Sequence, residues 1–223
     1  MIIKSISIKN FRGIKNLDKL DFGSLCAIVG KNDAGKSTVL HAINSFYNDT
    51  KLCEEDRYYG AGVEETVIEL FFDGAELETV PKVLLDESGQ LHVKKACNGV
   101  GESYKSTIIV MDFINENYKN IMQLTTSKQT SLFRQMEMNV ETPYTKENIF
   151  ELINKIIAND EAVDLVDYEI KSSMLKGVLK ELYPQYSLFL ADTSLDTGAT
   201  SFQNQFKKIV TNAIETHIED FNN

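Results

Sequence analysis

From Met1 to Lys9, the apolar residues Ile2, Ile6 and Ile8 alternate with Ser5, Ser7 and Lys9. That period of two predicts a half-buried strand, broken at Asn10-Phe11-Arg12-Gly13. Leu20 and Phe22 set against Lys19 and Asp21 make a second alternating piece. The continuous apolar run Leu25-Cys26-Ala27-Ile28-Val29 then predicts a strand buried on both faces, ending at Gly30. Beyond a glycine-bearing turn, Val39, Leu40, Ala42, Ile43, Phe46 and Tyr47 recur at three- and four-residue spacing, which predicts an amphipathic helix from Lys36 to Asn48.

The period of two returns over Thr66-Phe72, Val80-Leu85, Gln90-Cys97 and Ser103-Met111, with turn signals at Asp73-Gly74, Ser88-Gly89 and Asn98-Gly99. Those spacings predict an antiparallel meander. After Asp112 the pattern becomes helical. Thr145 can cap a helix carrying Ile149, Ile153, Ile156 and Ile157, and a second helix carries Val166, Ile170, Met174, Val178 and Leu182 until Pro184 stops it. Tyr186 to Ala191 reads as a buried strand ending at Asp192, followed by the loop Thr193-Ala199 and a last helix opened by a Thr200-x-x-Gln203 capping box. Glu219 and Asp220 place negative charge at the negative end of that helix, so it reads as cut before its natural end. The expected organisation is a strand-rich lobe over 1–112, a helical insertion over 113–185, and a return strand with the start of a truncated helix over 186–223.

Composition narrows the classes. No apolar run among the 223 residues approaches the ~20 needed to span a membrane as a helix. The N-terminus lacks the basic-then-apolar layout of a secretory leader, so a cytoplasmic location is expected. Cys26, Cys53 and Cys97 are isolated and odd in number, and read as small buried hydrophobes. The net charge of -10 opposes nucleic acid, and only short pairs such as Lys94-Lys95 and Lys207-Lys208 offset it. Contact with DNA is expected through a local patch or through other domains.

The strongest chemical signal is Gly30-Lys31-Asn32-Asp33-Ala34-Gly35-Lys36-Ser37, which fits G-x-x-x-x-G-K-[ST] between an apolar run and an amphipathic helix. Glycines are needed because backbone N–H groups must converge on a polyphosphate at angles that a Cβ resists. Lys36 supplies a point charge for the β- and γ-phosphates, the Ser37 hydroxyl can ligate Mg2+, and the helix N-terminus adds a favourable field. Thr38 falls beside the α-phosphate. The expected ligands are ATP and Mg2+, with Lys36 the catalytic charge.

Ile6-x-Ile8-x-Asn10-Phe11-Arg12-Gly13-Ile14, followed by the loop through Thr38 and by Ile43-Asn44-Ser45-Phe46, resembles the start of an ABC-type ATPase head of the RecF/SMC kind. Within that group it is most similar to the overcoming-lysogenization-defect (OLD) ATP-dependent nucleases, including anti-phage defence relatives. The resemblance is specific over residues 1–48. It implies an α/β P-loop NTPase fold, the N-terminal lobe of such a head, with an antiparallel meander and a helical insertion. It also implies that Arg12 lies near the nucleotide, that Lys31 to Thr38 surround the phosphates, and that two heads pair as a homodimer gating a nuclease or other DNA-acting module.

Such a head also requires an acidic Walker B pair, a loop residue reaching Mg2+ and a signature motif from a second head. Val83-Leu84-Leu85-Asp86-Glu87 and Ile108-Ile109-Val110-Met111-Asp112 imitate Walker B, but both lie in the meander, where Asp86 and Glu87 read as turn residues. No L-S-G-G-like stretch is present. Asp192, with Gln123 as its rival, is the candidate for the loop residue and a second Mg2+ ligand. His41, His92 and His217 assemble neither a metal set nor a triad. Two other readings fit the loop: a stand-alone nucleotide-binding switch, and a small-substrate P-loop kinase. The kinase needs an arginine-rich lid, which Arg12, Arg57 and Arg134 alone can hardly supply.

Overall fold

The alternating segments become a six-stranded antiparallel sheet in the computed structural model, which describes residues 1–31, 35–48, 50–124, 126–140, 145–159, 165–171 and 182–188. The strands are β1 (Ile2–Phe11), β2 (Ile14–Asp21), β3 (Thr66–Asp73), β4 (Leu91–Cys97), β5 (Lys105–Phe113) and β6 (Leu165–Lys171), in spatial order β2-β1-β3-β4-β5-β6. Pairing of Ile8 with Ile68, Ile6 with Leu70, Leu70 with Val93 and Val93 with Ile108 lines one face with aliphatic side chains. Burying each contributes about 1.5–3 kcal/mol relative to exposure. The opposite face is polar: His92 stacks on Phe71 at 4.0 Å and meets Glu69 at 3.2 Å, and Lys94 pairs with Glu169 at 2.7 Å.

Helix α1 (Lys36–Asn48) packs on the aliphatic face, with the Phe46 ring 6.2 Å from Phe72 and from Tyr183. No basic residue lies in its own last turn. Lys95 of β4 supplies the cation instead: its ammonium donates to the Phe46 carbonyl and sits 4.7 Å from the centre of that ring. A positive charge there complements the negative end of the helix dipole. The Lys94-Lys95 pair is therefore split between the two faces, and Lys95 is 5% exposed.

Three segments depart from the sequence-based expectation. Leu25 to Val29 forms no strand, and Leu25 and Val29 are 94% and 87% exposed. A strand buried on both faces needs hydrogen-bonding neighbours and a layer over each face, and no strand among the described residues flanks 25–29. Val80-Leu85 is not a strand either; it follows one 3-10 turn, Ala75–Thr79, and contains another, Lys82–Leu84, entered from Pro81, which lacks an N–H. Leu165–Lys171, expected to open a helix, pairs with β5 instead. Val166 and Ile170 are four residues apart, a spacing that fits either period, but Tyr168 between them completes an alternation with Asp167, Glu169 and Lys171.

The helical expectation holds for 146–159. Helix α3 (Lys146–Asn159), which follows α2 (Thr126–Gln135), is capped by the Thr145 hydroxyl accepting the Asn148 N–H at 3.3 Å, and it buries Ile153 and Ile156 completely. Of the cysteines only Cys97 is buried; Cys26 and Cys53 are exposed, because the apolar run around Cys26 is uncovered and Cys53 precedes the acidic turn Glu54–Asp56. The chain divides into Met1–Pro184 and Gln185–Asn223. In the second unit Gln185 to Leu188 form no strand. Residues 189–191 of the expected return strand, Asp192, the loop from Thr193 and the last helix with Lys207-Lys208 lie outside the described residues, as do Met174 and Val178. Among the described residues, no helix is long and apolar enough to cross a membrane.

Candidate functional site

Gly35 has φ +85°, a left-handed conformation that glycine adopts without strain, and α1 starts on the next residue. A Cβ at Gly35 would meet Ile14 Cγ1 at 3.7 Å, an ordinary contact, so the backbone angle and not lack of space calls for glycine. The Val39 N–H donates to the Gly35 carbonyl at 3.2 Å. Lys36 folds back over the loop, its ammonium donating to the carbonyls of Gly30 at 2.9 Å and Lys31 at 2.6 Å. Ser37 is exposed on the first turn and Thr38 is half-buried. Asn32, Asp33 and Ala34 lie outside the described residues.

Two cavities meet at Lys36. One, of about 420 Å³, runs under α1, with Lys36 and Ser37 at its polar end and Ile28, Leu40 and Ile43 among its walls. The other, of about 380 Å³, lies between the β1–β2 hairpin, represented by Gly13 and Ile14, and Gly35, Lys36 and Val39. Gly35 and Lys36 thus share one space with Gly13 and Ile14 of the hairpin, the residues that follow Arg12. The ammonium of Lys36, the exposed Ser37 hydroxyl and the start of a thirteen-residue helix form a donor set suited to a magnesium–nucleotide polyphosphate.

At the turn, Asn10 and Arg12 both adopt left-handed angles, φ +55° and +48°. For residues with a Cβ such angles cost energy unless neighbours hold them. The segment 56–66 does so: the Arg12 N–H donates to the Asp56 carbonyl at 2.8 Å, Tyr58 N–H and the Thr66 hydroxyl donate to the Asn10 carbonyl, and Asn10 Nδ2 donates to the Glu65 carbonyl. Arg12 Nε donates to Asp56 Oδ1, also at 2.8 Å. His41, one helical turn beyond Ser37, is within electrostatic reach of this pair. Burial and, next, the Arg12 charge hold its imidazole below the usual histidine range, with Asp56 opposing. Asp56 and His41 carried no signal in the sequence, because Glu54-Glu55-Asp56-Arg57 reads as a solvated charge run.

The acids of both Walker B imitations hold local turns, Asp86 from within one and Asp112 from near the end of β5. Asp86 Oδ1 accepts the N–H groups of Ser88 and Gln90, both at 2.9 Å. Asp112, 5% exposed, accepts N–H groups from Phe113 and Asn120 and so folds the loop after β5. Asp112→Ala should therefore lower stability by about 1–3 kcal/mol, the cost of stranding buried donors, while leaving nucleotide affinity within about twofold. Thermal melts beside a nucleotide titration check both parts, and a selective loss of affinity would make Asp112 a site residue. Among the described residues, no group of three or more His, Cys, Asp and Glu side chains could hold a metal ion. Gln123 ends a short 3-10 turn, Ile121–Gln123, and Asp192 is outside the described residues.

The sequence model of the AAA ATPase domain matches residues 1–221. The chain belongs to that family. An AAA ATPase domain is a P-loop NTPase, which agrees with the loop preceding α1 and carries nucleotide binding with it. Similar proteins include the uncharacterized protein MJECL10 of Methanocaldococcus jannaschii, 33% identical over 104 residues, which cover 43% of this chain. The uncharacterized protein MJECL44 of the same organism is 23% identical over 218 residues, 93% of the chain. An OLD nuclease of Thermus scotoductus is 46% identical over 48 residues, 22% of the chain. The matches span 48%, 63% and 9% of those proteins' own lengths.

Proposed function

We propose that this AAA ATPase domain binds Mg·ATP on the Gly30–Ser37 loop and hydrolyses it when two such heads pair, gating a nuclease or another DNA-acting module in the intact protein. The observation that carries this reading is Lys36. Its ammonium is held over the loop by two carbonyls, at the junction of two cavities and at the positive end of α1. The short, comparatively high identity to an OLD nuclease supports the DNA-acting role.

The residues that bind and orient are Lys36 for the phosphate charge, Ser37 for Mg2+, the amides from Lys31 to Thr38 for the phosphate oxygens, and Arg12 across the cavity. Bound Mg2+ supplies further charge neutralisation for the transferred phosphoryl group. The two-head reading rests on the resemblance to RecF/SMC-type heads; the 223 residues themselves hold no L-S-G-G-like stretch, and Asp86 and Asp112 of the Walker B imitations hold local turns. Without a group to position water among the described residues, much of a contribution worth roughly 7–11 kcal/mol is missing.

The 223-residue chain should therefore bind Mg·ATP yet turn it over far below ~1 s⁻¹. Phosphate release measured across a dilution series checks this. A rate near ~1 s⁻¹ at high dilution, abolished by Lys36→Ala, would contradict the two-head reading.

A further inference from the structure

Among the described residues the Arg12 guanidinium is hydrogen-bonded through Nε only, and its Cζ lies 5.7 Å from the centre of the Phe11 ring. Nε donates to Asp56 Oδ1 at 2.8 Å and the main-chain N–H donates to the Asp56 carbonyl at the same distance, so one residue grips both the backbone and the side chain. The terminal amino groups, Nη1 and Nη2, have no hydrogen-bond partner among the described residues, and the side chain is 33% exposed while that of Asp56 is 13% exposed. Asp56 is itself fixed from both directions: its N–H donates to the Cys53 carbonyl at 3.1 Å, and Arg57 bridges to Phe11. The next residue after Arg12, Gly13, lines the cavity shared with Gly35 and Lys36, and Ile14 lies against Gly35. A guanidinium tethered through Nε keeps its two-pronged end free for phosphate oxygens, the geometry in which arginine binds oxyanions best.

We infer, on the reading that the nucleotide phosphates lie against Lys36, that Asp56 is a positioning residue that aims the free Nη pair of Arg12 across the hairpin cavity at those phosphates. Asp56 does not touch the nucleotide; it acts through Arg12. The sign of its effect distinguishes this role from a plain field effect. Removing a carboxylate beside a phosphate site raises the local positive charge and by itself strengthens anion binding. Losing the tether releases the guanidinium to many rotamers and weakens it. The structure favours the second outcome, because the carboxylate is nearly buried and its hydrogen bond fixes the orientation of the guanidinium plane.

The experiment is a Mg·ATP titration of the full 223-residue chain and of Asp56→Ala, Asp56→Asn, Arg12→Ala, Arg12→Lys and the Asp56→Ala/Arg12→Ala double variant, each shown folded by its melting curve. Asp56→Ala and Arg12→Ala should each lose about tenfold in affinity, and the double variant no more than either, since residues acting as one unit are not additive. Asp56→Asn keeps an oxygen acceptor for Nε and should recover to within about threefold of the parent. Arg12→Lys keeps the charge but has no Nε, and should fall to the level of Arg12→Ala; this comparison decides the matter if Asp56→Ala does not fold. Tighter binding by Asp56→Ala, additive losses, or parental affinity in Arg12→Lys would overturn the inference. In any of those cases the phosphate-loop reading stands if Lys36→Ala still loses affinity, and it falls separately if the parent chain shows no Mg·ATP binding.

Discussion

Lys36→Ala should lose ATP affinity by roughly ten- to 100-fold with the fold unchanged. The ammonium makes two hydrogen bonds, to the carbonyls of Gly30 and Lys31, and both acceptors belong to the exposed loop itself. Without the ammonium these carbonyls turn to water at little cost. A bound triphosphate loses a charged donor, which contributes about 1.5–3 kcal/mol, and each 1.4 kcal/mol is about tenfold in affinity. A fluorescent ATP analogue titrated against both proteins at matched melting temperature measures the difference. Equal affinities would remove the phosphate-loop assignment.

Phe46→Ala should have the largest effect on stability. Phe46 is fully buried at the centre of an aromatic cluster, 5.8 Å from Tyr47, 6.2 Å from Phe72 and 6.2 Å from Tyr183, and its ring lies 4.7 Å from the buried Lys95 ammonium. Removing the ring leaves a cavity at the junction of α1 and the sheet and weakens the surroundings of that cation. Losses of about 3–5 kcal/mol are typical for such truncations, and at about 2–4 °C per kcal/mol the melting temperature should fall by roughly 6–20 °C. A fall of less than ~2 °C in a calorimetric scan would mean that α1 is not anchored through Phe46.

The two variants probe different parts of one helix. Lys36 and Phe46 stand at its opposite ends, so one change reads the ligand and the other the packing. The cation that serves the far end, Lys95, comes from a strand about fifty residues away in sequence, which no local pattern announces.

What local pattern does announce is the meander and the loop. Strands β1, β3, β4 and β5 are half-buried antiparallel strands, whose alternation is written directly in residues such as Ile6 and Ile8 or Leu91 and Val93. The phosphate loop is legible because its chemistry needs fixed residue types at fixed spacing. Leu165–Lys171 is a strand and not the expected helix, because Val166 and Ile170 satisfy both periods and pairing with β5 decides between them. Leu25 to Val29 departs from the expected strand because apolarity alone reports what could be buried, not whether a neighbouring strand lies beside it. Asp56 was invisible because its role depends on a contact 44 positions away with Arg12, and charge runs of its kind are ordinarily solvated.

The most direct test of the central claim is the amide spectrum of the isotopically labelled chain as Mg·ATP is added. The largest saturable shifts should fall on the N–H groups of Lys31 and of Gly35 to Thr38, with a second, smaller set at Gly13, which shares their cavity, and at Arg12 beside it. Amides on the polar face of the sheet, such as Glu69 and His92, should stay in place. Saturable shifts confined to residues away from the loop, or no shifts with millimolar Mg·ATP, would contradict the claim that this chain holds a nucleotide on Gly30–Ser37.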